Sequence, residues 1–274
     1  FELKALADAW LSNQWLCWGL GPLLSAFVGF FVPAVILEWV IAQPWCQSSL
    51  ISYSKDKTRA QSAAATQARI PWWTQFRTTL WQFGGPLNFF SGLFIGSVYP
   101  LVVPGPYETL PSLSAAVPHF IALALVADLL LYIGHRAQHD IEFLWKNFHH
   151  QHHQLDTPTP MGTAYIDSTD ALLQAGIPLM VSGLVVRPHP FTFCAYLAFH
   201  VCNNALNHSG IDHWLLDLIS LKCLPGRAKI IHHDSHHRFS NYTKNAKNFG
   251  EMFWIWDWMF GSLGNAAKLR VKQK

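Results

Sequence analysis

The chain has 274 residues, of which 51% are hydrophobic and 13% charged, with 13 Trp and 19 Phe. A soluble domain carries about 25% charged residues, so this composition argues against a water-soluble fold and for one membrane-embedded unit over residues 1–274. The net charge of +3 is small and the basic residues are scattered, which leaves no stripe for a nucleic acid.

The chain begins at Phe1, so its own N-terminus is expected upstream, and a signal peptide is neither affirmed nor excluded. Residues 14–42 are mostly apolar, broken by Pro22 and Pro33, with Trp near both ends and Glu38 placed at an interface. Residues 43–78 are polar and read as a loop or surface helix. Further apolar spans are predicted over about 79–103 and 113–133, the latter delivering the chain to His135. Two shorter ones, 171–186 and 191–206, form either two tilted crossings or a re-entrant hairpin. From 207 the chain is polar and histidine-rich. It then runs through FWIWDWMF (253–260), read as lying along the interface with Asp257 towards water, into a basic tail.

These spans predict an all-α, polytopic membrane bundle of about four to five spanning or re-entrant helices. Residues 1–127 supply N-terminal spans and a polar loop, and residues 128–263 hold all the histidine clusters, the part that the resemblance given below makes the catalytic region. With all five spans crossing, seventeen of the nineteen Lys and Arg fall on one side, which the positive-inside rule makes cytoplasmic. The same assignment puts every histidine cluster on that face, as a histidine-rich helical cap. It also makes the glycosylation-like triplets at Asn207 and Asn241 accidental. The ending RVKQK loosely resembles a retrieval signal for the endoplasmic reticulum. The five cysteines form no CxxC pair and read as reduced.

Three clusters carry the chemistry. His135 and His139 are spaced i, i+4, one helical turn apart, and so project from one helix face. His149, His152 and His153 follow at i, i+3 and i+4, and His233, His236 and His237 repeat that spacing. A neutral imidazole ligates zinc, copper, iron or nickel. Eight candidates exceed the four ligands of a single zinc and suit two ions, with iron the redox-active choice. His208 is the expected ninth ligand. His200 and Asn204 are expected in supporting roles on the same helix, and His150 and His232 as supporting or surface rings. His119, His189 and His213 belong to no cluster. Asp140, Asp234 and Asp212 are candidates to orient ligand rings. Asp128 interrupts an apolar helix seven residues before His135 and is expected to accept a hydrogen bond from the metal site.

The series HRAQH, HHQHH and HHDSHH resembles the HxxxH, HxxHH, HxxHH series of the fatty acid hydroxylase (sterol desaturase) superfamily. YIGHR, NHSG, NFG (248–250) and WDWMFGSL are also similar to it, over roughly Asp128–Leu263. The nearest impression is of sterol-type members such as methylsterol monooxygenase and cholesterol 25-hydroxylase. One departure is Asn204, which stands where some members have a histidine completing HxxxH with His208. The resemblance implies a membrane enzyme with two non-haem irons that uses O2 and two electrons to hydroxylate a lipid, a sterol or related isoprenoid before others. A fatty-acyl or sphingolipid hydroxylase, a desaturase and an epoxidase remain open alternatives, and zinc would be a purification artefact. Without a Gly-rich dinucleotide fingerprint or a CxxCH haem site, electrons from NAD(P)H would arrive through a b-type cytochrome, an NAD(P)H-dependent reductase or both. Two rivals lie outside oxygenase chemistry. A zinc-dependent hydrolase would want HExxH, which is absent. A metal transporter would want ionisable groups along its spans rather than at one face.

Overall fold

The computed structural model describes residues 10, 12–54, 57–105, 107, 109–240 and 245–269. The basic tail 270–274, the Asn241–Thr243 triplet and Lys4 lie outside them. Of the described residues 73% are helical, and none lies in a strand. The five cysteines are free thiols.

A π-helical turn, Trp15–Leu20, leads into α1 (Gly21–Ile41). Val28, Val32, Val35, Ile36 and Trp39 of α1 are all exposed. A helix apolar on its outward as well as its inward face is suited to lipid. The polar stretch that follows holds α2 (Arg59–Arg69), started by a capping box in which Thr58 and Gln61 bond reciprocally to each other's backbone. Next come α3 (Trp72–Gly84) and α4 (Pro86–Val102), with Pro86 at the first helical position of α4. The second span therefore starts near Trp72 rather than at 79. The first turns of α3 are amphipathic and bury Gln75 and Thr79, whose side chains hold Thr159 Oγ1 at 2.9 Å and Met161 O at 2.8 Å.

Helix α5 (Leu113–Asp140) determines where the site lies. It has 28 residues, and about 20 suffice to cross a bilayer's hydrocarbon core. The last two turns, which carry His135 and His139, thus continue beyond that core. After short helical pieces come α6 (Ile177–Val186), α7 (Pro190–Asn207), α8 (Trp214–Ile219) and α9 (Ile230–Phe239). Arg187, with φ of 53°, turns the chain between α6 and α7.

Among the described residues, four stretches are long and apolar enough to cross a membrane: Trp15–Ile41, Trp72–Val102, Leu113–Asp140 and Ser168–Val186. Helix α7 is not among them, because it carries His200, Asn203, Asn204 and Asn207. It packs closely along α1, where a Cβ on Gly29 would stand 2.5 Å from the Cα of Ala198. Gly92 and Gly96 likewise lie against Leu23 and Trp15 and serve helix packing. Trp18, Tyr99, Phe193 and Tyr196 are buried at the centre of the bundle, and Trp18 Nε1 donates to Tyr107 Oη at 2.8 Å.

Candidate metal centre

Four parts of the chain deliver imidazoles to one place. Helix α5 brings His135 and His139, and the short helical pieces Trp145–His149 and His150–His153 bring His149, His152 and His153. His208 caps the C-terminus of α7, and α9 brings His233, His236 and His237. All nine rings are at most 5% exposed. Their ligating atoms form two groups, His135, His139, His149, His153 and His236 in one and His152, His208, His233 and His237 in the other. Within each group these atoms lie within 4.8 Å of one another.

The spacing inside each group is that of a shared ion. In the first, the Nε2 atoms of His139, His149 and His153 stand 3.1 Å apart pairwise, with His236 Nε2 3.2 Å from that of His153. In the second, the His208, His233 and His237 atoms are 3.1–3.2 Å apart and His152 Nε2 is 3.4 Å from His208 Nε2. Nitrogens bound about 2.1 Å from one ion, at angles between octahedral and tetrahedral, stand about 3.0–3.4 Å apart. The two groups adjoin: the His153 and His237 rings stack at 4.9 Å, and the His135 and His233 ring centroids stand 6.2 Å apart.

Tautomers settle what this geometry can hold. The far nitrogen, Nδ1, of four rings faces a protein oxygen. These oxygens are Phe249 O for His135 (3.0 Å), Asp170 Oδ2 for His149 (3.0 Å), Asn204 O for His208 (2.8 Å) and Lys247 O for His236 (2.7 Å). A neutral ring that donates from Nδ1 presents a bare lone pair on Nε2. Those lone pairs point at one another, and His135 Nε2 is buried with no partner at all. Such an arrangement is repulsive unless a cation stands among the nitrogens, so these residues fit metal ions. Burial first, and neighbouring rings second, pull His149, His152, His153, His233, His236 and His237 well below the ordinary imidazole range. All six are therefore neutral and ready to ligate near neutral pH.

The supporting carboxylates differ from the sequence expectation. Asp170 bonds His149, and its other oxygen accepts from Gln138 and Gln174 at 2.9 and 2.7 Å. Sequence reasoning passed over it, although it interrupts the start of an apolar segment much as Asp128 does. Asp128 meets no ring. It accepts from Met252 N, Phe253 N and Trp256 Nε1 at 2.8–3.0 Å, because seven residues place it about 10 Å further down the helix axis than His135. Asp140 pairs with Arg136 at 3.2 Å on the exposed side of α5. Asp234 turns away to Arg59, 2.6 Å distant. The Arg59 side chain passes over Gly210, whose φ of +64° and missing Cβ make room for it. The backbone N–H of Asp212 donates to Ser49 O. Asn204 supports His208 through its backbone carbonyl, not its amide. His200 stands 3.5 Å from the Asn204 amide and 3.4 Å from Tyr196 Oη, outside both nitrogen groups.

Two further motifs acquire roles. Asp257, expected to face water, is fully buried. It accepts from Phe249 N, Gly250 N, Ser262 Oγ and His232 Nε2 at 2.7–2.9 Å. The aromatic run thus folds back over the site, and only Trp258, Met259 and Phe260 at its end are exposed. The Phe249 ring covers His135, His139 and His236. His150 stays exposed, while His189 and His213 accept hydrogen bonds from backbone N–H groups starting α7 and α8.

Beside the second group lies a cavity of about 180 Å³, walled by apolar side chains including Leu23, Phe30, Phe83, Ile95, Leu131 and Phe193. His152 and His208 reach its wall, together with His200, Asn204 and Glu251, whereas no ring of the first group does.

Residues 120–262, over half of the chain, match the family model described as Fatty acid hydroxylase. The chain belongs to the fatty acid hydroxylase family. Among relatives, cholesterol 25-hydroxylase-like protein 2 of Danio rerio is 27% identical over 173 residues, covering 63% of this chain and 59% of the relative. Methylsterol monooxygenase 2-2 of Arabidopsis thaliana is 30% identical over 162 residues, 59% of this chain and 58% of the relative. Cholesterol 25-hydroxylase of Homo sapiens is 27% identical over 252 residues, covering 89% and 82%. The first two matches thus span under two thirds of those relatives' lengths. No solved structure matches the chain.

Proposed function

We propose that this protein is a membrane-bound non-haem di-iron monooxygenase that hydroxylates a lipid drawn from the bilayer, a sterol or related isoprenoid. The observation that carries the reading is the second group of lone-pair-bearing imidazoles, which opens on an apolar cavity while the first group stays enclosed. His135, His139, His149, His153 and His236 would hold one iron, and His152, His208, His233 and His237 the other. When bound, the two irons supply O2 activation for the overall reaction RH + O2 + 2e⁻ + 2H⁺ → ROH + H2O.

The chain's own part is positioning and exclusion of water. Buried rings fixed through Asp170, Phe249 O, Lys247 O and Asn204 O keep the ligand set rigid. The cavity's apolar wall presents one substrate carbon beside His152 and His208. Electrons come from NAD(P)H through a b-type cytochrome, a reductase or both. They arrive at the histidine-rich face, which we assign to the cytoplasm, in a membrane we assign to the endoplasmic reticulum. The names and sterol substrates of two of the relatives point the same way.

The test is lipid profiling after expression in cells deleted for endogenous sterol and fatty-acid oxidases. A new hydroxylated lipid is expected, and His152→Ala or His236→Ala should abolish it. Normal turnover in either variant would remove that ring from the ligand set, and no oxidised lipid at all would reject the activity.

A further inference from the structure

Polar side chains in the cavity wall are of two kinds. Gln82, Asn88, Ser91, Thr163 and Gln174 bond to carbonyls or side chains of the protein itself. Two oxygens remain without any partner, Oδ1 of Asn204 and Oε2 of Glu251. Glu251 is 5% exposed, so its orphaned oxygen is cut off from water as well as from protein donors. A buried acceptor left unpaired costs about 1–3 kcal/mol, and more when charged, so two at one end of an apolar chamber imply a visitor that satisfies them.

Both residues are tied by their backbone to the end of α7 that carries His208. Asn204 sits one turn before His208 and holds that ring through its own carbonyl at 2.8 Å. The backbone carbonyl of Glu251 accepts from Asn207 Nδ2 at 3.0 Å, immediately before His208 in the chain. Asn207 is fixed in turn by the buried Lys222 ammonium, 2.7 Å from its Oδ1. Asn204 is therefore on the same helix end as a proposed ligand, and the Glu251 backbone is tied to that end through Asn207.

We propose that Asn204 and Glu251 form a hydroxyl-recognition subsite, which selects lipids bearing an alcohol group a short distance from the carbon that is oxidised. An alcohol fits because it both donates and accepts. It can donate to Asn204 Oδ1 and, through its own lone pairs, accept from the Glu251 carboxyl when that is protonated. Burial raises the Glu251 carboxyl to about 8, so near neutral pH it can donate to the hydroxyl oxygen while Asn204 accepts. A pure hydrocarbon leaves both groups unsatisfied. Sites built to bond a hydroxyl reject the analogue lacking it far more strongly than apolar pockets reject an extra methylene.

This inference rests on the lipid-hydroxylase reading, and its test is a binding measurement that needs no turnover. The iron-loaded full chain in nanodiscs, held under argon without reductant, is titrated with two matched pairs. These are cholesterol against 5-cholestene, and 1-octadecanol against octadecane. In at least one pair the alcohol should bind about tenfold or more tightly than its deoxy partner. Glu251→Leu and Asn204→Leu should each shrink that ratio to within about threefold while keeping the hydrocarbon's affinity and the iron content. Glu251→Gln, which keeps a donor and an acceptor, should retain most of the preference. No alcohol preference in either pair, or a preference unchanged in both Leu variants, overturns the subsite. The native-chain comparison stands even where a Leu variant fails to fold. Alcohol preference without any oxidised lipid in the profiling experiment would defeat the oxygenase reading and leave the subsite intact.

Discussion

The two imidazole groups differ in ways their matched sequence spacing does not announce. The first has five rings, lies under Phe249, and is braced by Asp170, Gln138 and Gln174. The second has four rings and reaches the cavity wall through His152 and His208. The Nδ1 atoms of its His233 and His237 have no hydrogen-bond partner, as is true of His153 alone in the first group. A fuller, better-braced set suits an ion held for structure and electron storage. A poorer set facing an apolar chamber leaves room for a reactant, as catalytic sites keep an open position. Under the proposed function, the difference puts substrate on the second side of the centre.

Removing a ligand from either group gives the largest effect and tests whether the groups are separate. His236→Ala and His208→Ala should both lower turnover beyond the roughly 100-fold that an outer-shell loss costs. Each should cost one ion, as read by metal analysis, and His208→Ala should additionally alter substrate binding. Loss of both ions in either single variant would merge the groups into one site. Next in size, Asp170→Ala should weaken metal binding at the first group about 10–100-fold while sparing the second. Competition with a chelator measures this, and an equal loss at both groups would contradict the asymmetry.

Acid should act on both groups together. His149, His152, His153, His233, His236 and His237 sit below the ordinary imidazole range when folded, chiefly through burial. Unfolded imidazoles, with pKa about 6.5, take up protons that the folded rings refuse. Stability from these rings is therefore complete above about pH 7 and is lost as pH falls through 6.5 and below. Thermal melts of the metal-free protein should show the midpoint dropping from pH 7.5 to 5.5, and a flat profile would refute this. The smallest effect belongs to Asp140→Ala. It removes an exposed pair with Arg136 and should change stability by less than about 1 kcal/mol and leave metal content untouched.

Eight of the nine gathered rings were legible from spacing, because i, i+3 and i+4 on a helix fixes a shared face whatever the rest of the fold does. The ninth, His208, was legible from its place at the polar end of the 191–206 segment. The supporting partners were not. Asp140 follows His139 directly, which turns it about 100° away around the helix, onto the side where Arg136 waits. Asp234 leaves the ligand face in the same way, towards Arg59. Asp128 shares a face with His135 but lies two turns along the axis, level with the 252–256 backbone. Asp170, 21 residues beyond His149, meets it only because the chain returns through the Ser168–Val186 stretch. Nothing periodic links such pairs. The apolar runs revealed the membrane helices well, but not that α3 prolongs the second span, since its buried Gln75 and Thr79 look like loop polarity until the 158–161 segment is seen against them.

The central claim is that these rings hold two ions, one per group. Iron content and Mössbauer spectra of protein expressed with ⁵⁷Fe and purified anaerobically test it most directly. The account predicts about two irons per chain in nitrogen-rich surroundings, falling to about one in His236→Ala and in His208→Ala. A native chain that takes up one iron or none under those conditions, with both variants unchanged from it, would contradict the account.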